Sequence, residues 1–91
     1  MTENMETHIS SMVVHASPAG LQSVKADIAR LHGAEIHGES VEGKLVVVLE
    51  TDSQTHITDL IEQINGFRHV LGSALVYHQV EPSETPESES P

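Results

Sequence analysis

Four short apolar runs and two helical stripes alternate along the chain. His8–His15, HISSMVVH, gathers Ile9, Met12, Val13 and Val14 in a run too short for a helix and predicts a first strand. Ser17 then offers an N-cap, and Pro18 fills the first helical position, where a missing N–H costs nothing. Leu21, Val24, Ile28 and Leu31 mark one face of a helix that Gly33 stops. Ala34–Val41 predicts a weaker strand around Ile36, with Glu35, His37 and Glu39 at the opposite parity on a wet side. Glu42-Gly43 is a turn signal. Lys44–Glu50, KLVVVLE, is the strongest strand, sending Leu45, Val47 and Leu49 to one face. Val46 and Val48 take the other face, between the charges of Lys44 and Glu50. Thr51–Gln54 has capping-box spacing, with Ser53 as the alternative cap. A second helix follows on Ile57, Leu60, Ile61 and Ile64 and ends at Asn65-Gly66. Val70–Val80 predicts the last strand, with a bulge expected at Gly72.

The order β-α-β-β-α-β predicts an α+β, ferredoxin-like domain. Its four antiparallel strands take the order 4-1-3-2, and both helices cover one face of the sheet. The other face is left to water or to a partner. A half-covered antiparallel sheet should alternate cleanly between apolar and polar. The first and third strands do not. Val46 and Val48, with either Met12 and Val14 or Val13, make an apolar strip that helix packing leaves unexplained. Such a strip suggests an interaction surface.

Composition sharpens the boundaries. Glu81–Pro91, EPSETPESESP, has no apolar residue and predicts a disordered acidic tail. Residues 1–7 read as a lead-in without periodicity, which leaves residues 8–80 as one small domain. The formal charge is −10, but Thr7–Val80 carries eight acids and all four bases. That balance, with Phe67 and Tyr77 the only aromatics, argues against nucleic-acid binding and suits a cationic partner. The acidic start MTENMETH lacks the features of a secretory signal. The longest apolar run, Leu45–Leu49, falls far short of the roughly 20 residues of a membrane span. A cytoplasmic protein without membrane insertion is expected.

Chemistry is sparse. The absence of cysteine excludes disulfides, thiolate metal sites and Cys nucleophiles. Seven histidines contain no H-x-H or H-x₃-H pair, and although His8, His15 and His78 could meet across strands, no acid in those strands supports them. Neither a metal nor another cofactor is expected. No nucleophile elbow, P-loop or H-E-x-x-H occurs. The stretch His15–Gly20 after the first strand lacks the cation that phosphoryl chemistry needs. Binding, not catalysis, is the expectation.

Three stretches carry a resemblance. Ile9-Ser10-Ser11-Met12-Val13-Val14 opens the domain, Gly43–Glu50 forms its centre, and Leu75-Val76-Tyr77-His78-Gln79 closes it. Together they resemble the NapD family, cytoplasmic assembly chaperones of the periplasmic nitrate reductase, over about residues 8–81. The resemblance implies a protein that is not an enzyme. Its partner would be the twin-arginine (Tat) signal peptide of the nitrate reductase catalytic subunit precursor, held back from export until cofactor insertion is complete. On that reading Met12, Val14, Val46 and Val48 line the site, with Glu35, His37 and Glu39 at its rim. If the first strand has the opposite register, Ser11 and Val13 replace Met12 and Val14. A monomer is expected, with weak self-association at most. Two other readings share the topology: an ACT-like small-ligand regulatory domain, and a structural dimer sealed through the open sheet face.

Overall fold

The computed structural model describes residues 6–82. In chain order it runs β1 (Glu6–Ala16), a 3-10 turn (Pro18–Gly20), α1 (Leu21–Ala29), β2 (Ala34–Glu39), β3 (Lys44–Thr51), α2 (Gln54–Asn65) and β4 (Val70–Pro82). The strands form one antiparallel sheet in the order β2-β3-β1-β4, which read from the other edge is the predicted 4-1-3-2. Leu45, Val47 and Leu49 of β3 pack beside Met12, Val14 and Ala16 of β1. The stripes of both helices close over them, through Val24 and Ile28 of α1 and Ile57, Leu60 and Ile64 of α2. The fold is ferredoxin-like, with one face of the sheet covered. Among the described residues, no helix is long and apolar enough to cross a membrane.

Local chemistry fixes the joints. The Gly20 N–H donates to the Ser17 hydroxyl at 3.3 Å, closing the turn that leads into α1. Ser53, not Thr51, caps α2: its hydroxyl accepts the His56 N–H at 3.1 Å. The Thr51 hydroxyl instead donates to the Ser53 carbonyl at 2.7 Å and shapes the approach. Gly43 has φ +96°, and a Cβ there would lie 2.4 Å from the Ala16 carbonyl oxygen. Only glycine fits this turn, where the Ala16 N–H donates back to the Gly43 carbonyl at 2.8 Å.

The strands differ from expectation at their ends. β2 stops at Glu39, because the Ser40 hydroxyl accepts N–H groups from Glu42 and Lys44 and turns the chain early. β1 and β4 run further than predicted, since Glu6 pairs with Pro82 and Thr7 with Glu81. Residues 1–5 and 83–91, which hold the rest of the expected lead-in and acidic tail, lie outside the described residues. One register shift falls between His15 and Ala16, whose partners are Gly72 and Val70, so a bulge at Leu71 adjoins Gly72, and a second shift leaves Val76 as an extra residue of β4.

Candidate functional site

The parity of β1 decides which side chains the open face offers. Directly opposed residues of an antiparallel pair share a face. Met12 opposes Val47 and Val14 opposes Leu45, so both lie under the helices, buried to 1% or less exposure. The expectation that Met12 and Val14 line the site is therefore corrected. The alternative register holds: Ser11 opposes Val48, and Val13 opposes Val46. Ser10 makes this register acceptable. Its fully buried hydroxyl shares a 2.6 Å hydrogen bond with His78 Nδ1, so a polar group on the covered side is satisfied.

On β2 the expected trio divides. Glu35 opposes Val48 on the open face, and His37 Nε2 lies 3.1 Å from its carboxylate. A register shift between Ile36 and Gly38 then reverses the parity, so Glu39 opposes Leu45 and turns to the helix side. There its carboxylate is 2.6 Å from the Lys25 ammonium on α1. Glu39 does not belong to the open-face rim.

The open face can be read in rows across the strands. Glu35, Val48, Ser11 and Tyr77 form one row; Gly38, Val46, Val13 and Ala74 form the next. Beyond the first lie Glu50, Ile9 and Gln79, and beyond the second Lys44, His15 and Gly72. The centre is apolar, one end is acidic, and the other carries a cation and an imidazole. Val46 is 41% exposed and Tyr77 51%. The Tyr77 hydroxyl donates to the Gln79 side chain. At the acidic end, two grooves of about 360–370 Å³ share His32 and Glu50. One reaches Glu35 and Val48, and the other reaches Asp52, His56 and Thr7. Glu50, whose sequence position beside the Val46 and Val48 strip made it a candidate partner for a peptide Arg or Lys, lies at this acidic end, and Ile9 and Asp52 join it there without having been assigned from the sequence. The alternation of KLVVVLE already placed Glu50 on the face of Val46 and Val48, and that was the available signal.

The histidines scatter by the same parity. His8 and His78 lie on the helix side with ring centroids 5.9 Å apart, whereas His15 lies on the open face. Among the described residues, no group of three or more His, Asp or Glu side chains is placed to hold a metal ion. The segment after β1, where a small-ligand domain of this topology would open a glycine-rich turn, is filled: a Cβ on Gly20 would fall 2.0 Å from the His69 ring.

Comparison with known proteins adds an independent line. The family model described as NapD protein matches residues 7–82. Chaperone NapD of Paracoccus pantotrophus is 34% identical over 87 residues, which cover 94% of this chain and 76% of that protein. Among solved structures, the E. coli Tat proofreading chaperone protein NapD superposes with a TM-score of 0.77 at 24% identity, covering 98% of this chain and 92% of that one. A transcriptional regulatory protein of the ASNC family from Pyrococcus furiosus superposes with a TM-score of 0.61 at 13% identity, covering 98% of this chain and 62% of the other. These two likenesses concern the fold.

Proposed function

The chain belongs to the NapD family of chaperones, and on that premise we propose that its open sheet face binds the twin-arginine signal peptide of the periplasmic nitrate reductase catalytic subunit. The bound precursor is withheld from Tat export until its cofactors are in place. The mechanism is steric: a leader lying on the chaperone cannot enter the translocase at the same time. It requires no catalytic group and no cofactor, and it places the protein in the cytoplasm, where the precursor is made.

The observation that carries this reading is the charge gradient across an apolar face. Such a leader is basic at its start and apolar afterwards. Glu35, Glu50 and Asp52 suit the arginines, and Val48, Ile9, Val13 and Val46 suit the apolar stretch of the leader. Lys44 and His15 at the far end disfavour the reversed orientation. Apolar burial would provide most of the affinity, at about 25 cal/mol per Å² before the costs of ordering and association. The acids add less affinity, but they speed encounter.

The test is titration of the full chain with the nitrate reductase leader, monitored by amide shifts. Perturbation of β1 and β3 at Ile9, Val13, Val46 and Val48 is expected. Shifts confined to α1 and α2 would remove the sheet face from the mechanism.

A further inference from the structure

We propose that the outer edge of β4 joins two copies of this chain, strand to strand, into a reversible dimer. Among the described residues seven large apolar side chains are exposed, and five of them lie on this strand: Leu71, Leu75, Val76, Tyr77 and Val80. Val70–Val80 contains no Asp, Glu, Lys or Arg, in a chain that is 20% charged. The opposite edge of the sheet is different. β2 has six residues, two of them glutamates, and an irregularity before Gly38. Charge, brevity and bulges are the devices that keep a sheet edge from pairing. β4 has two bulges, but neither charge in its centre nor brevity.

The distribution of the exposed side chains selects the kind of partner. Leu75 opposes Met12 and Val80 opposes His8, so both flank the helix side, while Tyr77 opposes Ser11 on the open side. A ligand lying on the open face reaches only the second set. An added strand reaches both, because its own side chains alternate between the faces. Such a partner must be extended and free of charge, and another β4 is that segment already ordered, so no folding cost opposes its docking. Antiparallel pairing about a two-fold axis makes the contact isologous and closed.

Magnitude decides how strong the dimer is. The extra residues Leu71 and Val76 break the edge into short regular stretches. The contact therefore falls below the roughly 800 Å² per partner of a standard interface. Each copy carries a formal −10, so the copies repel outside the contact. The dimer should be weak, dependent on concentration and strengthened by salt. Val13, Val46 and Val48 remain uncovered, so this inference stands apart from the proposed leader site.

Sedimentation velocity of the full chain, from micromolar to near-millimolar concentration at low and high salt, tests it. The average mass should climb from one chain toward two, more readily at high salt. Val76→Lys and Val80→Lys should each weaken the dimer about tenfold or more, with the amide pattern of the remaining sheet retained. A single-chain mass at every concentration in high salt overturns the proposal. So does a dimer that survives both substitutions and is lost in Val46→Lys, which would place the contact on the open face.

Discussion

Lys25 on α1 and Glu39 on β2 are joined at 2.6 Å across the covered side of the sheet, and this pair removes from the open face an acid that strict alternation would have placed there. Glu39→Gln should leave leader affinity within about twofold. It should cost less than about 1 kcal/mol of stability, because both partners are partly exposed. Calorimetric titration beside urea unfolding measures both quantities.

Glu35 and Glu50 should behave differently. Removing both charges with Glu35→Gln and Glu50→Gln should slow association with the leader several-fold at low ionic strength. The difference should shrink as salt rises toward physiological levels, where the screening length falls to about 8 Å. Stopped-flow association rates over a salt series decide it. Equal rates for the double variant and the native chain would take these acids out of the encounter.

β1 offers a paired test, since neighbouring residues point to opposite sides. Met12→Ala opens the core and should cost about 2–5 kcal/mol of stability. Val13→Ser should cost far less in urea unfolding yet weaken leader binding about tenfold or more. A Val13→Ser chain with native affinity would show that the leader does not touch this strand.

Two joints predict stability effects without functional ones. Ser53→Ala removes the cap of α2 and should cost about 1 kcal/mol. Gly43→Ala puts a methyl group 2.4 Å from the Ala16 carbonyl oxygen on a backbone with positive φ, and should cost more than Ser53→Ala. Thermal unfolding of the two variants ranks them.

The contrast between β1 and β3 shows what the sequence could reveal. In KLVVVLE the charges of Lys44 and Glu50 share the parity of Val46 and Val48, and that parity faces outward. Local alternation was enough, as it was for the helix stripes and for the order of the elements. In HISSMVVH both parities carry apolar residues and both carry a serine. The choice falls to a long-range contact, the Ser10–His78 hydrogen bond between β1 and β4, which no local pattern contains. Glu39 was misplaced for a similar reason. The irregularity near His37 inserts one residue into the alternation, and Gly38 is its only trace in the sequence. Boundaries shifted where pairing overrode composition, as at Glu81 and Pro82, whose backbones extend the ladder opposite Thr7 and Glu6.

The position of β1 between β3 and β4 has a consequence for biogenesis. Of the four described strands, the first to leave the ribosome is hydrogen-bonded along one side by the fourth. Until Val70–Pro82 has emerged, Ser10 lacks His78, and one margin of β1 stays open to any passing extended chain. Contacts this distant in sequence make folding slower than in a helical protein of equal length. A nascent chain arrested before residue 70 should be protease-sensitive throughout, and protection should arrive in one step once Val70–Pro82 has emerged.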